Sequence, residues 1–241
     1  MEYLLYYFEV YGYFFVILAS IFAMIASASV NSTFRKYSAC FSRRQITGAQ
    51  AAQSVLYANG VTDVRIARTS GNLTDHFDPR DNTIYLSDSV YDSTSTAAIG
   101  VAAHEAGHAV QHAQGYLPIQ IRSAIVPVTN IGSKLSMPLI LIGLFLSFSL
   151  EFPFGYEIAL LGVFCYSLCV VFQLVTLPTE FNASARALRA IENGMLLDRD
   201  ELVGARKTLT AAAMTYVAAL AVSLMQFLRL LAMVMGGRRR R

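Results

Sequence analysis

The chain has 241 residues, 55% of them hydrophobic and only 15% charged, a balance that excludes an ordinary soluble domain and points to a membrane protein. The formal charge of +3 lies largely in the terminal Arg238–Arg241 run, so it says little about the fold, and no nucleic-acid partner is expected. Three cysteines, Cys40, Cys165 and Cys169, exclude a disulfide framework and a CxxC metal knuckle, because the number is odd and two of them lie in an apolar run.

The first element in chain order is an apolar stretch from Val10 to Val30, and a bilayer core needs roughly 20 such residues of helix. Ala26-Ser27-Ala28 imitates a cleavage site. Glu2 and Glu9 stand where a signal peptide carries basic residues, so the segment reads as an uncleaved anchor. A polar region follows. Thr47 to Asn59 reads as a helix stopped by Gly60, and Val61 to Arg68 alternates like a strand. Ser70-Gly71-Asn72 and Asp78-Pro79-Arg80-Asp81-Asn82 are turn signals, and Thr83 to Ser87 is a second short strand. A helix with cap candidates in Ser93 to Thr96 then runs through HEAGHAVQHA to Gly115.

Apolar stretches return at Ser136–Leu150 and Gly155–Leu177, which a short loop joins as a hairpin, and at Thr210–Met235. Pro178 and Thr179 mark the start of a further helix. Lysines and arginines follow the first and third stretches and precede the second, which puts the N-terminus outside and the polar parts in the cytoplasm. The terminal arginines conflict with this if the fourth stretch spans fully, unless that stretch bends back. Gln226 and Arg229 share one helical face, suited to protein or headgroups rather than lipid.

Four histidines occur in all, and three of them fall in HEAGHAVQHA. His104 and His108 are four apart, so on a helix they project from one face, one turn apart. Two neutral imidazoles so placed can hold zinc, with Glu105 beside them as general base. Zinc lowers the pKa of a bound water to roughly 7, and the glutamate takes its proton as the water attacks a peptide carbonyl. A catalytic zinc needs a third protein ligand. His112 lies about 6 Å further along the same helix, too far for one ion to bridge three successive turns, and reads as a helix-end or supporting residue. Glu180 in LPTEFNASARA is the other candidate; its alternative is an acid answering a helix dipole. His76, in LTDHFDPR, is a candidate oxyanion donor, and Asp75 or Asp78 could orient it or a ligand histidine, unless the stretch is simply a turn. Thr83, Ile84, Tyr85, Leu86 and Ser87 could form an edge strand that pairs with an extended substrate.

HEAGHAVQHA, LTDHFDPR and LPTEFNASARA together resemble the YugP-type neutral membrane zinc metallopeptidases, over nearly the whole chain. More distantly the chain is similar to the HtpX and CAAX prenyl protease group, in which HExxH pairs with a later ExxxD helix. The resemblance implies one zinc per chain, held by His104, His108 and Glu180, with Glu105 as the base. Ser184 stands where the distant group has its aspartate, so Ser184 or Asn182 would have to support the ligands instead.

The expected fold is a mainly α membrane protein, with about four membrane helices packed on a small α+β zincin-like catalytic domain with a short sheet. Its parts are an anchor (1–30), the HExxH domain (31–134), a membrane hairpin (135–178), a helix with the third ligand (179–208) and a membrane or re-entrant helix with a basic tail (209–241). The expected function is a zinc endopeptidase of a bacterial plasma membrane, with its site on the cytoplasmic side. Its partners are the bilayer, a polypeptide substrate that is itself a membrane or membrane-proximal protein, and a regulatory membrane protein. Two alternatives stand beside it. A site-2-type intramembrane protease would bury its HExxH in a membrane helix, whereas here polar sequence flanks the motif. A non-catalytic zinc-stabilised scaffold or regulatory subunit would have no need of Glu105.

Overall fold

The computed structural model describes residues 2–150 and 152–239. Met1, Glu151, Arg240 and Arg241, and the side chains of Glu2, Leu4, Leu5, Glu9, Arg238 and Arg239, lie outside that description. The chain is mostly helical. In order, the elements are α1 (Glu2–Ser38), α2 (Gly48–Ala58), β1 (Arg65–Thr69), β2 (His76–Asp78), β3 (Thr83–Ser87), α3 (Thr96–Ala113), α4 (Leu117–Ser149), α5 (Gly155–Asn193) and α6 (Leu202–Arg239).

Local chemistry accounts for the short elements. Thr47 caps α2 by accepting from the Gln50 N–H, while the Gln50 side chain accepts from the Thr47 N–H. Gly60 follows α2 at φ 71°, a left-handed conformation that costs glycine little. The hydroxyl of Ser95 caps α3 by accepting from the Ala98 N–H.

The sheet differs from expectation. Its order is β1-β3-β2, with β1 parallel and β2 antiparallel to β3. The His76–Asp78 segment, for which a simple turn was one reading, is a strand. Thr83–Ser87 is therefore the central strand and not an edge. Ile84 and Leu86 are fully buried, and the backbone on both sides of β3 is already paired, so this strand has no free edge for a substrate.

The long helices run further than the apolar stretches. Val10–Ser38, Leu117–Ser149, Gly155–Asn193 and Leu202–Gly236 are long and apolar enough to cross a membrane. Pro127 and Pro138 lie inside α4. Pro178 lies inside α5, where a helix start was expected, so the apolar run and the LPTEFNASARA motif share one continuous helix. A proline lacks the N–H that would bond the carbonyl four residues back, so Leu174 gives up one helical bond without ending the helix.

The chain divides into two compact units. One comprises 1–25, 121–176 and 216–241; the other comprises 26–120 and 177–215. In the first, α4 and α5 approach closely through small residues: a Cβ on Gly143 would lie 2.3 Å from the Ala159 nitrogen, and one on Gly162 would lie 2.7 Å from the Ser136 carbonyl oxygen. The Arg229 guanidinium lies 4.2 Å from the Tyr13 ring centre, so Arg229 faces protein, as its position on α6 suggested.

In the second unit α3 is the core element. Ala97, Ala98, Ala102, Ala103 and Ala106 are fully buried, alongside Leu56, Ile84, Leu86 and Ile191. Glycines set the spacing on two sides of it. A Cβ on Gly107 would lie 2.8 Å from the Ala183 carbonyl oxygen of α5, and one on Gly100 would lie 3.1 Å from Ala205 of α6. Gly107→Ala therefore forces α3 and α5 apart. We expect it to lower the thermal unfolding midpoint in detergent, with a loss of roughly 1–3 kcal/mol typical of overpacking; an unchanged midpoint would show that α5 can yield without cost.

Candidate metal centre

The helical register of α3 and its contact with α5 bring three ligand-type groups together. His104 Nε2 lies 3.2 Å from Glu180 Oε2, and His108 Nε2 lies 3.4 Å from the same oxygen. The imidazole rings are edge to face at 4.7 Å. One donor atom from each of the three residues falls within 4.8 Å of the others. The Glu180 side chain is 1% exposed and the two imidazoles 12% and 10%. Two neutral nitrogens and a carboxylate oxygen form a donor set zinc accepts, and a tetrahedral ion with bonds of about 2.0–2.1 Å keeps its donors about 3.3 Å apart. The two measured nitrogen–oxygen distances fit that spacing.

Each imidazole is held at its other nitrogen. His104 Nδ1 lies 3.1 Å from Ser184 Oγ, one turn beyond Glu180, and a hydroxyl there can donate or accept. His108 Nδ1 lies 3.0 Å from Gln111 Oε1. The Gln111 amide nitrogen donates to the Thr179 carbonyl and to Asn182 Oδ1, each at 2.9 Å. Asn182 Oδ1 also accepts from Arg186 Nε at 2.7 Å. Ser184 thus touches a histidine directly, whereas Asn182 reaches one only through Gln111. Gln111 was missed in the sequence. Its signal was a polar residue three after His108, on the same face of a helix otherwise packed with alanine.

Glu105 points into the same interior and is 9% exposed. Burial pushes its carboxyl up to about 7; His104 opposes the shift, and the charges of Glu180 and Asp75 add to it.

The remaining candidates are arranged differently. His76 is exposed on β2, its ring stacked on Tyr85 at 5.0 Å and its Nδ1 2.8 Å from the Thr74 carbonyl. Neither aspartate beside it orients it by a hydrogen bond. Asp75 accepts from the Ser87 N–H and hydroxyl, tying the start of β2 to the end of β3. Asp78 is paired with Arg80 at 2.6 Å, and that pair holds its carboxyl down at about 2. His112 is exposed against Phe77 at 5.7 Å, at the end of α3 and apart from the cluster.

The raised Glu105 carboxyl has a sign that can be tested in metal-free protein. The unfolded chain ionises near the ordinary 4.5 and the folded chain near 7, so the folded state is favoured at low pH and loses stability as pH rises through that window. A shift of this size corresponds to about 3 kcal/mol. We expect unfolding midpoints of chelator-treated protein to fall between pH 5 and pH 7.5 (roughly, from the same linkage) and Glu105→Gln to flatten that dependence. A Glu105→Gln protein with an unaltered pH profile would contradict the assignment.

The profile of a family described as "Putative neutral zinc metallopeptidase" matches residues 12–235. A protein of Bacillus subtilis (strain 168) named "Putative membrane protease YugP" is 42% identical over 213 residues, covering 88% of this chain and 92% of its own length. No solved structure matches the chain.

Proposed function

Because this chain belongs to the neutral zinc metallopeptidase family, we propose that it is a membrane zinc endopeptidase with one zinc held by His104, His108 and Glu180. The observation that carries the reading is the convergence of both Nε2 atoms on one buried Glu180 oxygen, beside a glutamate that makes no part of that contact. Zinc bound there supplies Lewis-acid chemistry, polarising a peptide carbonyl and acidifying a water.

The chain's own groups divide the remaining work. Glu105, buried next to His104, is suited to accept the proton of the attacking water and return it to the departing amine. His76 Nδ1 faces a carbonyl and so carries its hydrogen, which leaves Nε2 to donate to a developing oxyanion only in the imidazolium form. β2 replaces Thr83–Ser87 as the strand that meets substrate, since its outer edge is not paired in the sheet and it carries His76. HEAGH lies on α3, which is not among the four candidate spans; this supports a site outside the lipid core over the site-2-type alternative.

Purified wild-type protein should hold one zinc. Glu180→Ala should lose it and His112→Ala should keep it; the reverse pattern would overturn the ligand set. Glu105→Gln should keep zinc and lose roughly 10²–10⁴-fold in peptidase rate, and full activity in that variant would leave a scaffold as the better reading.

Substrate class follows from where Glu180 sits. It lies three residues beyond Leu177, the end of the apolar run of α5, and the lysines and arginines that flank the first three apolar runs favour the cytoplasm for this side. A flexible segment emerging from the membrane suits such a site better than a folded soluble domain does. Moving one cleavable segment away from a membrane anchor on rigid spacers should therefore diminish cutting with distance, and cutting that persists far from the bilayer would sink the idea.

A further inference from the structure

We infer that Gln111 is a positioning residue of the zinc site: its carboxamide fixes His108 with the proton on Nδ1 and ties that arrangement to the turn of α5 that carries Glu180. The inference rests on the zinc reading proposed above. Gln111 is fully buried, and its amide makes three hydrogen bonds whose polarity can be deduced. A backbone carbonyl only accepts, so the atom 2.9 Å from Thr179 O is the amide nitrogen. A guanidinium only donates, so the Asn182 atom bonded to Arg186 Nε is an oxygen, and it too requires the Gln111 nitrogen. Both anchors leave Gln111 Oε1 facing His108, and an oxygen there requires a hydrogen on Nδ1. The lone pair of the neutral ring is then on Nε2, the nitrogen 3.4 Å from Glu180 Oε2. Turning the amide over would set oxygen against oxygen at both Thr179 and Asn182, so these two anchors fix its orientation.

Thr179 immediately precedes Glu180, so one side chain of α3 grips both a ligand on its own helix and the backbone beside a ligand on the next. Partners that orient metal-bound histidines are worth roughly 10–100-fold in metal affinity.

Three variants test this in detergent-solubilised full-length protein. Gln111→Met keeps the approximate shape and removes every hydrogen bond. Asn182→Leu removes one anchor and leaves Gln111 in place. Asn182→Asp keeps an acceptor for both Gln111 and Arg186. Zinc affinity, measured by competition with a chromophoric chelator, should fall roughly 10–100-fold in Gln111→Met, fall less in Asn182→Leu and stay near wild type in Asn182→Asp. Imidazole ¹⁵N spectra should place the His108 proton on Nδ1 in wild-type and Asn182→Asp protein, with and without zinc, and should show that placement lost in Gln111→Met. Equal zinc affinity in Asn182→Leu and Asn182→Asp, or an unchanged His108 spectrum in Gln111→Met, would overturn the inference. If Gln111→Met does not fold, the two Asn182 variants decide it. A wild-type protein that binds no zinc would instead remove the zinc reading, and the spectra of the metal-free protein would still decide where His108 keeps its proton.

Discussion

The centre depends on burying the Glu180 carboxylate in an interior lined by alanine. An isolated carboxylate there would be strongly disfavoured, because protein interiors replace hydration poorly, and it persists only if opposite or hydrogen-bonding groups surround it. Those groups are two imidazoles on a different helix, so α3 and α5 must approach until their backbones nearly touch. That demands a residue without a Cβ at Gly107 and a small one at Ala183. Gly107, inside HEAGH, therefore matters to the site: it sets the distance over which His104, His108 and Glu180 can meet. Gly100 against Ala205 sets the distance on another side of α3 in the same way.

Much of this was legible in the sequence, for physical reasons that differ by residue. His104, Glu105 and His108 were readable because helical periodicity alone places i and i+4 on one face. α2 was readable from a cap and a terminating glycine. Glu180 carried no comparable local signal, and its pairing with α3 came from the motif resemblance and not from periodicity. β2 was hidden because three residues between turn signals are too few to show alternation; it exists because β3 offers a ready edge. The central place of β3 followed from the same omission, and its fully buried Ile84 and Leu86 were the clue. Pro178 misled because a proline usually ends a helix, whereas here the continuing helix needed to give up only one carbonyl bond.

Correcting the sheet alters which residues do what. With β3 enclosed, Thr83 and Ser87 become structural: Ser87 donates to Asp75 and so holds the Thr74–His76 segment in place. Asp75 then acts on His76 through the backbone it anchors, while the Thr74 carbonyl makes the direct contact. The acidic residues of LTDHFDPR thus shape the strand that carries the histidine.

The two histidines of the candidate centre are restrained by unlike groups, and this makes the cluster asymmetric in stiffness. A serine hydroxyl turns about one bond and serves equally well as donor or acceptor, so His104 can exchange which nitrogen bears hydrogen while Ser184 simply rotates to follow. Gln111 cannot respond in that way without breaking three bonds at once. The His108 side of the cluster is thus the stiffer and the His104 side the more adjustable, because three mutually dependent bonds resist change where one rotatable hydroxyl does not.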